Sequence, residues 1–181
     1  MSDDLFLRPW VHSDAPALLR LYREAPDLAN QLPGLPDLAA ARSWVDWTHL
    51  ESNRVFALTE RGVALGSVGL SGINHHHSTG WFHYWMGLGA RGRGLMSRAA
   101  AMVADWALTS ADAGGLGLYR LELGHRTNNP ASGRVAVAAG FVQEGLERAK
   151  LAYLDERFDV VAMARLVTDP RPSLEPLPLQ A

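Results

Sequence analysis

Residues 81–86 read WFHYWM, an aromatic, strand-like run, and they lead through GLGARGRG into LMSRAAAMVADWALTSA, a helix former with no interior breaker. A strand ending in a glycine turn that opens a helix aims several backbone N–H groups and the positive helix end at one point. That arrangement is an anion site. Read as Gly87-x-Gly89-x-x-Gly92, the turn has the placement of a dinucleotide fingerprint. The fingerprint also needs an acidic residue about twenty positions on, closing the next strand. Asp112 has that spacing but sits in SADAGGLG, before the next strand begins, and no Gly-Lys-Ser/Thr follows to make a Walker loop. Coenzyme A is a third reading of the same anion site, and it needs support from elsewhere in the chain.

With 181 residues and 48% hydrophobic content, the chain reads as one α/β or α+β domain able to bury a core. Seventeen Lys and Arg against nineteen Asp and Glu leave a formal charge of −2, so there is no cationic excess for a nucleic-acid backbone. The absence of cysteine excludes disulfides, thiolate metal sites and a cysteine nucleophile. The opening MSDDLFLRPW is acidic, and no apolar run approaches the roughly twenty residues of a membrane span. A cytoplasmic protein with no membrane or nucleic-acid partner is expected.

Along the chain, DLFLRPW alternates like a strand, and Ser13-Asp14 is placed to cap DAPALLRLYREA. After the loop QLPGLP, Asp37 is placed to cap a helix with Ala41, Trp44, Val45 and Leu50 on one apolar face. RVFALTERGVALGSVGLSG reads as a hairpin about Glu60-Arg61-Gly62, followed by the 81–86 strand, the glycine turn and its helix. LYRLELGH is a strand. NPASGRVAVAAG is a short helix with Asn129 at the N-cap, Pro130 in the first helical position and Gly140 past the end. A final hairpin follows, and the proline-rich TDPRPSLEPLPLQA reads as a flexible or loosely docked tail.

This order of elements resembles the GNAT superfamily of N-acetyltransferases, over roughly residues 5–167. RGRGLM resembles the superfamily's acyl-CoA pyrophosphate motif, with Arg91 first, Gly94 fourth and Met96 where a small residue is commoner. NPASGRVAVAAGFVQEG resembles the second motif of the Rim-type subgroup, which acetylates ribosomal-protein N-termini, through Asn129, Ser132, Gly140, Phe141, Glu144 and Gly145. The resemblance implies a mixed, mostly antiparallel sheet of about seven strands flanked by about four helices. It also implies a fourth strand that bulges and splays from the fifth. A GNAT domain is expected over residues 1–167, with residues 168–181 as the tail.

Acetyl-CoA is then the expected cosubstrate, held by Met86, Gly87, Leu88, Arg91, Gly92, Arg93, Gly94, Leu95, Met96 and Ser97, with Asn129 and Ser132 from the second motif. Backbone N–H groups would take the pyrophosphate, and the pantetheine amides would pair with the end of the 81–86 strand like an added strand. Arg98 is a further candidate for charge near the phosphates. The implied reaction is attack of a neutral amine on the thioester, with an oxyanion donor near the strand bulge and an acid for the departing thiolate.

Many GNAT enzymes place a tyrosine acid seven residues after the motif asparagine, where this chain has Ala136; in the Rim-type subgroup the motif serine, here Ser132, takes the place near the sulfur. The subgroup's carboxylate positions hold Trp81 and Leu151, leaving His83 and Glu122 as candidate bases beside a water relay. His75-His76-His77 reads as a polar loop and no metal is expected. Trp44, Trp47, Trp81 and Trp85 are candidates for an acceptor groove or for the core. The expected partners are acetyl-CoA and an amine, either a peptide N-terminus or a small amine such as a polyamine or antibiotic, with a homodimer left open. A non-catalytic acyl-CoA sensor is the alternative from another class.

Overall fold

The computed structural model describes residues 5–153 and 155–181. Within them the chain runs β1 (Leu5–Pro9), α1 (Ala15–Glu24), α2 (Leu38–Thr48), β2 (Arg54–Glu60), β3 (Val63–Asn74), β4 (Thr79–Met86) and α3 (Leu95–Leu108). It continues through β5 (Arg120–Arg126), α4 (Pro130–Ala138), β6 (Val142–Tyr153) and β7 (Glu156–Leu166). The strands form one seven-stranded, mostly antiparallel sheet, as the resemblance implied, and its order is β1-β2-β3-β4-β5-β7-β6.

Successive strand side chains point to opposite faces, and the sequence loads both. Phe56, Leu58, Val68, Leu70, Phe82 and Met86 share one core with α3, while Val55, Ala57 and Trp85 share the other with α1 and α2. Ala99, Ala100, Ala104 and Ala107 are fully buried, and their small side chains let α3 lie close on the sheet. Trp10, Trp44 and Trp85 pack edge and face against one another at centroid distances of 5.2 to 6.2 Å, anchoring α2 to the opposite face.

The feature that makes a site is the β4–β5 pair. All other strand neighbours are antiparallel, but β4 and β5 are parallel and pair only over Thr79–Trp81 against Arg120–Glu122. Beyond Trp81, β4 stays with β3 and β5 stays with β7, so the two halves of the sheet part. The β5-facing edge of β4 from Phe82 onward therefore has no strand to pair with among the described residues. The expected bulge is not in β4: its pairing with β3 is unbroken from Met86 to Trp81, and the irregularity lies between Ser71 and Asn74 on β3. There Gly72 takes a left-handed φ of 58°, which absorbs the extra residue of β3.

Local signals set the helix ends. Asp37 accepts a hydrogen bond from the Ala40 N–H at 2.9 Å, and Asn129 accepts from the Ser132 N–H at 3.2 Å. Asp14 stands at the start of α1 as expected, but its carboxylate is taken by Arg8 at 2.6 and 2.8 Å and by the Val11 N–H at 3.0 Å. Leu50 is a correction, because α2 ends at Thr48 and Leu50 is exposed. The chain passes α2 before the apolar spacing is complete.

Arg165 of β7 is fully buried, donating to the Ala139 carbonyl at 3.0 Å and pairing with Asp105 of α3, which fixes the end of α4 against the sheet. The tail is docked along β1. Leu7 donates its N–H to the Pro178 carbonyl at 2.8 Å and accepts from the Gln180 N–H at 2.9 Å, while Leu177 is buried in the α3-side core. The tail thus covers the free edge of β1. Among the described residues no helix is long and apolar enough to cross a membrane.

Candidate active site

The glycine turn folds as a 3-10 turn at Leu88–Ala90 followed by Gly92 and Gly94 in the left-handed region, at φ 76° and 72°. Only glycine takes these values without strain. Gly94 is the N-cap of α3 and offers no side chain, so the Leu95, Met96 and Ser97 N–H groups have no intrahelical acceptor. A Cβ added at Gly92 or Gly94 would meet nothing within 4 Å, so the space in front of these donors is open. Arg91 braces the turn through Nε to the Met86 carbonyl at 2.9 Å and through its guanidinium to Asp27 at 2.9 and 3.1 Å.

In front of this helix end lies a cavity of about 300 Å3 lined by Met86, Arg91, Gly92, Gly94, Leu95, Met96, Ser97, Asn129 and Ser132 from the expected cofactor set. Three expected residues are not brought to it. The Gly87 N–H bonds the Leu65 carbonyl and its Cα faces Leu21, Leu88 is exposed, and Arg93 turns away to pair with Glu60. Arg98 also points elsewhere, to Glu175 of the tail at 2.9 Å. Arg134 of α4, which sequence reasoning passed over, does line the cavity. Its spacing five residues after Asn129 was the available signal.

A second cleft, of about 360 Å3, opens toward α2 and the β6–β7 hairpin. Gln31, Tyr84, Trp85, Asn129 and Ser132 line both spaces, so the two meet where β4 and β5 part. Sequence reasoning missed Tyr84, which is the principal side chain at this junction. Its hydroxyl donates to the Ser132 carbonyl at 2.7 Å, and the Ser132 hydroxyl donates to the Tyr84 oxygen at 3.1 Å. Burial pushes the phenol up to about 12, against weaker downward pulls from Ser132 and the backbone of Ala136. Ala136 on α4 carries no hydroxyl, and Tyr84 of β4 brings one to the junction instead.

On the cleft side, His83 lies beside Trp47 at a ring separation of 5.9 Å, and its Nε2 is buried with no hydrogen-bond partner among the described residues. Burial lowers its pKa to about 4, so the ring is neutral at pH 7. Glu122 is not brought to either space. It bonds Arg120 at 2.6 Å, and Arg120 also binds Glu144. Trp47, Trp81, Trp85, Leu151 and Tyr153 wall the cleft, with His125 and Arg126 from the end of β5. His125 fits because Gly133 leaves it room, since a Cβ there would stand 2.9 Å from its ring. His75, His76 and His77 form the exposed β3–β4 turn, and among the described residues no three His, Asp or Glu side chains converge on a metal position.

Arranged this way, the fold offers a helix end open to an anion, a protonated hydroxyl pair at a junction, and a neutral imidazole on the far side. The acetyltransferase (GNAT) domain model matches residues 4–142. No curated protein matches the sequence. Among solved structures, the chain is similar to a dodecameric spermidine N-acetyltransferase from Vibrio cholerae, at TM-score 0.75 and 19% identity over 92% of this chain and 96% of that one. It is similar to the ribosomal α-N-protein acetyltransferase RimL bound to coenzyme A, at TM-score 0.75 and 23% identity over 91% and 95%. A third is the microcin self-immunity acetyltransferase MccE in complex with acetyl-CoA and AMP, at TM-score 0.74 and 17% identity over 91% and 93%. These likenesses describe a shared fold and do not single out one acceptor. With the family model covering most of its length, the chain belongs to the GNAT acetyltransferase domain family.

Proposed function

We propose that the protein transfers the acetyl group of acetyl-CoA to a primary amine at the junction of its two cavities. The observation that carries this reading is the meeting of the two spaces at Tyr84, Asn129 and Ser132, directly in front of a helix end with unpaired donors. The residues present fit the cosubstrate. Open space at Gly92 and Gly94 admits a pyrophosphate to the Leu95, Met96 and Ser97 N–H groups, with Arg91 and Arg134 flanking. The free edge of β4 past Trp81 offers backbone groups to the pantetheine amides.

Acetyl-CoA supplies the thioester: a C–N bond forms to the amine, the C–S bond breaks, and the sulfur leaves as a thiolate that takes a proton. The Tyr84–Ser132 pair is the donor for that sulfur, because a phenol held near 12 keeps its proton throughout the neutral range. The proton that the attacking nitrogen sheds passes to water in the open cleft, where the His83 ring, neutral and set against Trp47, adds no positive charge. Glu122, bound to Arg120 outside both spaces, has no part in this route. The Asn129-x-x-Ser132 and Glu144-Gly145 pattern favours a Rim-type enzyme, whose acceptor is a protein N-terminal amine.

The test is ligand-induced stabilisation and turnover together. Acetyl-CoA should raise the melting temperature while NADH does not, and Ser132→Ala should lose turnover but keep that stabilisation. Stabilisation by NADH and none by acetyl-CoA would return the glycine turn to the dinucleotide reading.

A further inference from the structure

The cleft opposite the cofactor cavity carries an electrostatic signature that the family assignment does not explain. Among the described residues, no Asp or Glu lines it. Its walls are flat rings: Trp47 and Trp81 on one side, Tyr153 on the other, with the His83 imidazole set against Trp47. One formal charge faces the space, the guanidinium of Arg126 at the end of β5. Its Cζ lies 4.9 Å from the Tyr153 ring centroid and 5.3 Å from that of Phe158, so two rings fix it in place.

Arg126 has no carboxylate partner among the described residues, a state it shares with Arg134 and others, but among the described arginines it is the one that lines this cleft. Arg8, Arg91, Arg93, Arg98, Arg120 and Arg165 each pair with an Asp or Glu. Lys150, 5.6 Å from the Trp81 centroid, does not line the cleft and is neutralised by Glu147. A preorganised guanidinium in a half-enclosed, ring-walled space favours an anion through charge-assisted hydrogen bonds and opposes a second ammonium.

We infer that the acceptor is a primary arylalkylamine carrying an anionic group remote from the reactive nitrogen, a small amine in place of the protein N-terminus that the Rim-type pattern favours, with Arg126 as the anchor for that anion. The inference rests on the acetyl-transfer reading above for the fate of the amine, but the anchor itself is a property of binding. A polycationic acceptor fits this cleft poorly, because it brings several ammonium groups to a site with no carboxylate.

The test compares three probes with one ring and one aminomethyl group: para-aminomethylbenzoate, benzylamine and para-xylylenediamine. CoA release gives kcat/KM for each, and calorimetry on the CoA-loaded protein gives their affinities. The benzoate should exceed benzylamine by about tenfold or more in both measures, with the diamine last. Arg126→Gln should bring the benzoate-to-benzylamine ratio close to one, while Arg126→Lys should keep most of it, and the wild-type ratio needs no variant to fold. The inference is overturned if the diamine equals or exceeds the benzoate, if the three bind alike, or if the ratio survives Arg126→Gln. Preferential binding of the benzoate that Arg126→Gln removes, without turnover of any probe, would uphold the anchor and overturn the arylalkylamine as the acceptor.

Discussion

Replacing His83 by Phe should change how the protein's stability depends on pH, and the size of the change follows from the burial of the ring. In the folded chain the imidazole titrates at about 4, against 6.5 as its ordinary value. Between these values the unfolded chain binds a proton that the folded chain refuses, so stability falls as the pH drops. The contribution is fully present above about pH 6.5 and is lost as pH falls toward about 4. The full shift corresponds to about 3 kcal/mol, of which about 2.5 kcal/mol is expressed between about pH 7.5 and about pH 4.5. Urea unfolding followed by tryptophan fluorescence across that range gives the stability of both proteins. Subtracting the His83→Phe curve from wild type cancels the other titrating groups, which both chains share. The difference should slope by about 2.5 kcal/mol. Phe keeps a flat ring beside Trp47, and His83→Gln is the polar control. Parallel curves would mean that His83 titrates normally, and the uncharged ring assigned to the cleft wall would be lost.

Tyr84→Phe and Ser132→Ala should each lower kcat by about ten- to a hundredfold with acetyl-CoA affinity nearly unchanged, since the donor acts as the thiolate leaves. The double variant should be little worse than either single one in steady-state kinetics, because the two hydroxyls form one unit. Wild-type turnover in both would assign the leaving proton to water. Gly94→Val should cost about 1–2 kcal/mol of stability from a side chain at positive φ and should weaken CoA binding strongly by calorimetry. Arg93→Ala should leave CoA binding alone, as Arg93 faces Glu60; equal effects would count against the helix-end cradle. Arg165→Met should destabilise by about 3 kcal/mol in urea, because it strands Asp105 and the Ala139 carbonyl. A loss under about 1 kcal/mol would show that the buried pair contributes little.

The parts of this site that are local in the chain were legible in the sequence. Two glycines before a breaker-free helix can form an open N-terminus whatever lies around them, and Asn129-Pro130 starts a helix by its own chemistry. What depends on packing across the sheet was not. Tyr84 and Ser132 lie 48 residues apart in sequence and meet only because β5 leaves β4 after Trp81. Arg91 and Arg93 are near neighbours in one motif, yet one turns to Asp27 beside the cavity and the other to Glu60 away from it. Glu122 looked available until Arg120 claimed it. The tail's prolines suggested looseness, but an alternation of Leu177 and Leu179 with the open groups of Leu7 gives it a place on the β1 edge. That no Asp or Glu among the described residues lines the second cleft is a property of the assembled walls, drawn largely from α2, β4, β5 and β6, and no single segment displays it.

The most direct measurement is acceptor-dependent release of free CoA from acetyl-CoA, set beside calorimetric binding of acetyl-CoA to the same preparation. The acceptors should span N-terminal peptides, para-aminomethylbenzoate, spermidine and an aminoglycoside. Acetyl-transfer chemistry at the β4–β5 junction predicts that acetyl-CoA binds and that at least one amine drives CoA release well above the rate without acceptor, with Tyr84→Phe removing most of that excess. Tight binding of acetyl-CoA with no acceptor-driven release at any pH would contradict the account and leave a protein that binds the acyl carrier without using it.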